Sequence, residues 1–305
     1  MKTILSIGLF LLLFIGVNAQ IDQKVERSFK TGGNPELSIK NSFGDIKINT
    51  HDSGIIEILV EINVVPSNKR NYEKVRDKVR IDIKEIGNRV ELRTISDLDG
   101  ISTEEMSIDY TVLIPENTMI EVVNQFGDVW IEGTESKVIA RIQHGDMYVG
   151  VVKGKDSQIK MQFGDLRLES VQKAELDIQH GDLRAEKLTD VELDLQFSDA
   201  RINELNGELF VKSQHSDLKI ENVSKSVTLI EIDGQFSDIT FESGPWSEFR
   251  MDLEGGFTDI SIPHSVISLV NYHSEEMHTE EYRINEKVLG KRIIINANHS
   301  DVDFD

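Results

Sequence analysis

The sequence of 305 residues contains no cysteine, only five prolines and only two tryptophans. Without cysteine the chain can form no disulfide, so its fold must be stabilised by buried apolar side chains alone. A lipid anchor on an N-terminal cysteine is excluded for the same reason. No apolar stretch of membrane-spanning length follows the first segment of the chain, and we therefore expect no integral membrane segment in the mature protein.

Positive charge is also scarce in this sequence. The chain has 33 Lys and Arg against 54 Asp and Glu, which gives a formal net charge of −21. Nucleic acids and anionic lipid surfaces attract cationic proteins, so neither is an expected partner. A charge of this size also keeps a protein soluble, which is the simpler explanation for it.

The N-terminus has the pattern of an export signal. Lys2 precedes an apolar run from Ile4 to Val17, and small residues lead up to Gln20. This arrangement predicts a secretory signal peptide over residues 1–19, cleaved between Ala19 and Gln20. The run is too short to span a bilayer comfortably. We therefore expect an exported protein in the periplasm, on the outer cell surface or outside the cell.

One short unit recurs through the rest of the chain: Gln, Phe or His, Gly or Ser, Asp, then apolar-x-apolar. Complete copies contain Asp128, Asp146, Asp165, Asp182, Asp199, Asp217 and Asp238, and weaker copies contain Asp45, Asp259, Glu275 and Asp301. Complete copies follow one another at about 17 to 21 residues, and a period of this length is typical of a stacked solenoid.

The residues between these copies predict the fold class. Apolar and polar residues alternate, for example through Val191, Leu193 and Leu195, and this indicates strands with one buried face. We expect an all-β protein, a parallel β-solenoid in the form of a flattened right-handed β-helix with about 18–21 residues per turn. An antiparallel meander of hairpins is the alternative topology.

The two flanks of the repeat region lack its regular spacing. Residues 20–119 are predicted to form a β-rich N-terminal cap with a short helical insertion near 68–78, and residues 120–264 to form the repeat solenoid. Residues 265–305 are predicted to form C-terminal turns and a cap, which the last copy around His299 would close.

Each position of the repeated unit has an expected role at a corner of the coil. By alternation, the Phe or His should point into the core and the Gln outward, where stacked amides can form a ladder. The histidines are therefore expected to be packed core side chains, with a metal-binding or pH-sensing role as the alternative. The next position should need a small side chain rather than a left-handed backbone, because Thr258 occupies it.

The repeated Asp would form a column of like charges, which repel by about 1 kcal/mol per pair in water. Either backbone N–H groups at the corner bind the carboxylates, or bound cations offset the repulsion. We expect backbone binding and keep calcium as the alternative. The candidate cation column consists of Asp128, Asp146, Asp165, Asp182, Asp199, Asp217 and Asp238. No other cofactor and no catalytic residue is expected.

Three features together resemble one known family: the repeated Phe-Gly-Asp-apolar-x-apolar unit, the lead-in from Tyr110 to Pro115, and the signal peptide. The chain resembles the "putative bacterial adhesin" family, which consists of exported, adhesin-like β-solenoid proteins of Bacteroidota. The resemblance implies a non-enzymatic binding or surface-display role at the cell envelope, with a protein or glycan surface as partner.

Two other functions stay open. The protein could be a periplasmic sensor or accessory protein of envelope regulation that uses the same surface for a protein partner. A carbohydrate-active β-helix enzyme is less favoured, because its catalytic acids would form one unique cluster, whereas the acids of this chain repeat. The sequence gives no indication of the oligomeric state.

Overall fold

The computed structural model describes residues 21–68, 72–276 and 278–305 of the chain. The predicted signal peptide, with Ala19 and Gln20, lies outside the described residues. Within them the protein is all-β, with 25 strands joined into one sheet. Helical structure in these ranges is limited to the α-helix α1 (Tyr72–Lys78) and short 3-10 helices at Trp246–Glu248 and His264–Leu269. No helix in the described part of the chain is both long and apolar enough to cross a membrane.

The strands follow one another along the chain in three groups. The first group comprises β1 (Ile21–Lys30), β2 (Glu36–Phe43), β3 (Ile46–His51), β4 (Ile55–Pro66), β5 (Val79–Ile86), β6 (Arg89–Ser96) and β7 (Thr103–Pro115). The second comprises β8 (Met119–Phe126), β9 (Val129–Thr134), β10 (Val138–His144), β11 (Met147–Val152), β12 (Ser157–Gln162), β13 (Leu166–Val171), β14 (Ala174–Gln179), β15 (Leu183–Gln196), β16 (Ala200–Gln214), β17 (Leu218–Val223), β18 (Leu229–Gln235) and β19 (Ile239–Phe241). The third comprises β20 (Arg250–Gly256), β21 (Ile260–Ser261), β22 (Val270–Glu276), β23 (Thr279–Ile284), β24 (Arg292–Asn298) and β25 (Val302–Phe304).

Each turn of the coil contributes one strand to each of two parallel ladders, which we name the first and the second face. The first face has the order β6, β2, β8, β10, β12, β14, β15, β16, β18, β24, β20. The second has the order β7, β3, β9, β11, β13, β15, β16, β17, β19, β25, β21. The long strands β15 and β16 cross from the second face to the first, which joins the two faces into one sheet.

This pairing confirms an all-β, mostly parallel, solenoid-like architecture. The alternative of an antiparallel meander is wrong for the repeats, because consecutive turns pair in parallel and in register. The hand of the coil stays a prediction.

The core lies between the two faces and is built from stacked columns of apolar side chains. Leu166, Leu183, Ala200, Leu218 and Ile239 occupy one such column, and each is at most 2% exposed. Inward residues alternate with outward residues along repeat strands such as β12 and β14, as the sequence predicts. Truncating one of these leucines to alanine would leave a cavity and cost about 2–5 kcal/mol of unfolding free energy.

Antiparallel strands cover both ends of the stack. At the N-terminal end β4 pairs with β1 and β7, and β5 pairs with β6. At the other end β23 lies between β20 and β22. The helix α1 buries Val75 at the N-terminal end. The domain boundaries at 119/120 and 264/265 stay predictions.

The order of turns in the stack differs from their order in the sequence at both ends. The turn of β2 and β3 lies between β6–β7 and β8–β9, because strands β4 to β7 are inserted after it in the sequence. The last turn, β24 and β25, lies between β18–β19 and β20–β21. The expectation that the copy around His299 closes the coil is therefore wrong, because this copy enters the stack one turn before its end.

Candidate binding surfaces

A ladder of aspartates follows the corner at which the chain passes from the first face to the second. The backbone N–H of each Asp donates to Oδ1 of the Asp in the preceding turn, with N···O distances from 2.8 Å at Asp45 to 3.4 Å at Asp199. The order along the ladder is Asp109, Asp45, Asp128, Asp146, Asp165, Asp182, Asp199, Asp217, Asp238 and Asp301. The predicted backbone binding of the carboxylates is confirmed, with the donor supplied by the neighbouring turn.

The calcium alternative for this column stays a prediction. Calcium takes six to eight oxygen ligands, whereas one oxygen of every carboxylate in the candidate column from Asp128 to Asp238 already accepts a backbone N–H. The described residues contain no group of three or more His, Asp or Glu placed to hold a metal ion. Calorimetry with added calcium and with EDTA tests the hypothesis, and an unfolding temperature that is the same in both would refute it.

The Phe and His of the repeat form a second ladder beside the aspartates. Its order is Phe43, Phe126, His144, Phe163, His180, Phe197, His215, Phe236, His299, Phe257 and His278. Neighbouring rings stack face to face, with centroids between 4.5 Å and 5.5 Å apart. The ring faces are therefore covered by other rings, and the ring edges meet the solvent.

The prediction that these rings point into the core is wrong. Leu195 is fully buried, but Phe197, two residues later, is 56% exposed. The cause is the backbone: from Phe163 onward the described ring residues of the corners have φ between 53° and 61°, a left-handed conformation that interrupts the alternation of a strand. In the earlier turns the following glycine has the positive φ instead, for example 119° at Gly127.

The small residue of the corner follows the expectation from Thr258 only in the later turns. Neither Ser198 nor Thr258 has a positive φ, whereas Gly44, Gly127 and Gly145 in the earlier turns have φ of 109°, 119° and 153°. A side chain at Gly145 would place its Cβ 2.2 Å from the carbonyl oxygen of Gly127, so adjacent corners approach too closely for a larger residue there. Where Ser replaces Gly, its hydroxyl accepts the backbone N–H of the adjacent corner, as Ser216 Oγ does from Ser198 N at 2.9 Å.

The Gln side chains lie on the outer side of the first face, as predicted. The hydrogen bonds that Gln179 and Gln196 donate run within a strand, to Asp177 and Asp194 two residues earlier. A continuous amide ladder between turns stays a prediction.

Two aromatic residues stand on the outer side of the second face. Trp130 on β9 and Tyr148 on β11 stack with centroids 3.8 Å apart, and Trp130 is 45% exposed. The Tyr148 hydroxyl donates to the Glu169 carboxylate, and this hydrogen bond raises the pKa of Tyr148 to about 12. Lys47 and Arg167 flank the pair in register, and together these side chains line a cavity of about 350 Å³ beside the Asp ladder.

The outer side of the first face contains a groove of about 660 Å³ near the N-terminal end of the stack. Lys40, Arg93, Arg141 and Lys160 line it together with Gln side chains of the repeat. Neither this groove nor the Trp130 pair is among the features expected from the sequence. Their positions in the repeat could have indicated both. Arg141 and Lys160 each stand two residues before the Gln of their repeat, and Trp130 stands two residues after its Asp.

The chain matches the family model described as Toastrack DUF4097 over residues 34–303. No curated protein matches it. Among solved structures, a "putative adhesin" from Bacteroides fragilis is 11% identical, with 95% of this chain and 100% of that chain covered and a TM-score of 0.44. A "putative cell adhesion protein" from Clostridium sporogenes is 9% identical, with 93% and 99% covered and a TM-score of 0.26. A "putative lipid binding protein" from Parabacteroides distasonis is 8% identical, with 92% and 96% covered and a TM-score of 0.41.

Proposed function

The chain belongs to the Toastrack family, and from this premise we propose that it is a non-enzymatic, exported protein that binds or displays at the cell envelope. The observation that carries the proposal is the repetition of one surface along the coil. Over most of the stack the Asp ladder presents a carboxylate at every turn, and the ring ladder presents an aromatic ring that alternates between Phe and His. Such a surface suits contact with an extended partner, since it offers a carboxylate at every turn, spaced by about 4.8 Å, and the same ring at every second turn.

The arrangement of the acids supports a binding role over catalysis. A glycoside-cleaving site uses one pair of carboxyl groups whose surroundings differ from each other. The corner aspartates instead share one position and one backbone partner in each turn.

Three finer features belong to the same proposal. The coil is right-handed and flattened, with about 18–21 residues per turn. The signal peptide spans residues 1–19, and the mature chain divides at 119/120 and 264/265 into cap, repeat solenoid and C-terminal turns. Mass spectrometry of the exported protein tests the cleavage site, because a mature N-terminus other than Gln20 would contradict it.

Cell fractionation combined with protease treatment of intact cells tests the proposed location. Surface display predicts that the protein is recovered with the outer surface and is cleaved by added protease. A pool found only in the periplasm would contradict display and would favour the accessory role in envelope regulation. A glycan array and a pull-down from envelope material then test the binding role itself, and the absence of any retained partner in both would refute it.

A further inference from the structure

The groove on the first face, which we name the basic groove, has a charge opposite to that of the whole protein. Strands β6, β2, β8, β10, β12 and β14 form it, and six neighbouring strands extend over about 24 Å. Arg93, Lys40, Arg141 and Lys160 stand in one column along it, with Val123 between Lys40 and Arg141. The chain around it carries a net charge of −21.

Most of these cations form no direct ion pair on the described part of the protein. Lys160 Nζ lies 3.0 Å from Asp177 Oδ2, and the charge of Lys40 contributes to the lowered pKa of Glu121. Lys40, Arg93 and Arg141 nevertheless form no ion pair within the described residues. Asp82, opposite Arg93 on β5, is bound by Lys84. Cations outside the groove commonly pair, as Arg89 does with Glu121, Glu36 and Glu91. A column of unpaired cations is repulsive by itself, so its arrangement favours an anion that bridges several of them.

A column of amides runs beside the cations. Gln125, Gln143, Gln162 and Gln179 occupy equivalent positions on consecutive strands, each two residues after the column that holds the cations. An amide side chain offers both hydrogen-bond donors and an acceptor, whereas Lys and Arg only donate. The groove therefore matches a chain that carries anionic groups and neutral hydroxyl groups side by side.

Other polyanions match the groove less well. Single-stranded nucleic acid needs aromatic side chains on which its bases stack, and none of the residues that line the groove is aromatic. A bound peptide needs pockets for its side chains, but Val123 is the one apolar side chain on the outer side of the lining, since Ile142 and Met161 are buried in the core. A lipid needs a continuous apolar surface for its acyl chains, whereas the outer side of this lining holds the single apolar residue Val123.

We propose that the basic groove binds a carboxylated polysaccharide. Its carboxylates pair with Arg93, Lys40 and Arg141, its hydroxyls bond to the Gln amides, and its chain runs along the coil axis across the strands. This inference rests on the proposed function, because it names the ligand class of a binding protein.

The test measures binding of the mature protein to polygalacturonate by titration calorimetry, with pullulan as the neutral polymer. A groove variant carries Lys40→Gln, Arg93→Gln and Arg141→Gln. A matched control carries Arg167→Gln, Arg184→Gln and Arg201→Gln, which remove the same charge from the outer side of the second face. We expect affinity for polygalacturonate to fall at least about tenfold in the groove variant and less than about twofold in the control, with no binding of pullulan.

Several outcomes would overturn the proposal. Equal losses in the two triple variants would show that net charge, not the groove, attracts the polymer. Binding of poly-L-glutamate or of oligo-dT as tight as that of polygalacturonate would assign the groove to an acidic peptide or to nucleic acid instead. Thermal unfolding of each variant checks the fold. If the triple variant is unfolded, the single variant Arg141→Gln is compared with Arg141→Lys, which keeps the charge and should keep most of the binding.

The same variants separate this inference from the proposed function. If the groove variant is still retained by envelope material as well as the natural protein, the binding role stands and the assignment of the groove fails. If polygalacturonate binding depends on the groove but the protein stays inside the cell, the ligand class stands and the envelope role fails.

Discussion

The Asp ladder affects the stability of the folded state in two opposite ways, through hydrogen bonds between turns and through repulsion between carboxylates. Substitutions of Asp146 separate these two effects. Asp146 Oδ1 accepts the backbone N–H of Asp165 at 3.0 Å, and its own N–H donates to Asp128 Oδ1 at 2.9 Å. The first bond stabilises the contact between two turns. The carboxylate also stands between two others at about the strand spacing, and this repulsion destabilises the folded state.

Asp146→Ala removes both effects. A hydrogen bond to a charged acceptor contributes about 1.5–3 kcal/mol, and we take the lower end because the corner is exposed to water. Repulsion from two neighbours at this spacing amounts to roughly 1 kcal/mol in total once salt screens it. The net loss in unfolding free energy should therefore be about 0.5–1 kcal/mol.

Asp146→Asn removes the charge but keeps an acceptor oxygen. A neutral hydrogen bond is about half as strong as a charge-assisted one, so the loss of bonding and the relief of repulsion nearly cancel. We expect the unfolding free energy of the Asn variant to lie within about 0.5 kcal/mol of that of the natural protein. It should exceed the unfolding free energy of the Ala variant by about 0.5 kcal/mol or more.

Urea unfolding midpoints at two salt concentrations measure these differences. Raising NaCl from about 0.01 to 1 M shortens the Debye length from roughly 30 to 3 Å, which should stabilise the natural protein relative to the Asn variant. Asp233, exposed on the first face and outside the ladder, provides the control, and its Ala and Asn variants should be equally stable within about 0.5 kcal/mol. The reasoning fails if Ala and Asn at position 146 also give the same midpoint.

Three further perturbations have expected outcomes. Phe197→Ala loses stacking on His180 and His215 and should lower the unfolding free energy by about 2 kcal/mol. Phe197→Gly should cost less, because glycine relieves the strain that Phe and Ala both carry at φ 53°, and urea midpoints compare the two variants. Burial alone would raise the pKa of Glu121, but the hydrogen bond and charge of Arg89 lower it overall. A lowered folded pKa of Glu121 stabilises the protein above the unfolded pKa of about 4.3, and this stabilisation is lost as the pH falls through the folded pKa. Glu121→Gln should therefore lower the urea midpoint at pH 7, and the difference from the natural protein should shrink as the pH is lowered below about 4. Deleting residues 286–305 should abolish hydrogen-exchange protection in β20 to β23 while β10 to β14 keep theirs, and protection retained in β20 would contradict the observed order of turns.

The architecture could be predicted because it depends on local patterns. Alternation of apolar residues with a period of two assigns the buried side of each strand, and repetition of the corner places equivalent residues above one another. The order of turns near the C-terminus could not be predicted from these patterns, because they do not specify which turn packs against which. Distance along the sequence suggests that Phe257 follows Phe236, whereas the structure places His299 between them.

The surfaces were harder to predict than the core. The outward direction of Phe197 depends on a left-handed backbone at a bulky residue, which is uncommon and has no signature in composition. The basic groove depends on register, because Lys40 and Arg141 are distant in sequence and come into one column only when β2 and β10 both pair with β8. The Asp ladder was predictable in part, since a column of carboxylates needs donors wherever it occurs.

The position of the C-terminal turn is specified by several columns at once. In the order of the stack, Phe and His alternate without interruption from Phe126 to His278, and they do so only because His299 separates Phe236 from Phe257. At the same turn, Asp301 N donates to Asp238 Oδ1 at 3.0 Å, Ser300 Oγ accepts from Ser237 N at 2.9 Å, and Phe304 stacks on Phe241 at 4.6 Å. These contacts require a carboxylate, a hydroxyl and an aromatic ring at matching positions of the neighbouring turn. If the last turn were inserted at another place in the stack, several of them would be lost together. Agreement among independent interactions gives one arrangement an energy gap over its competitors, and this explains how a repetitive chain can insert its last turn at one place in the stack.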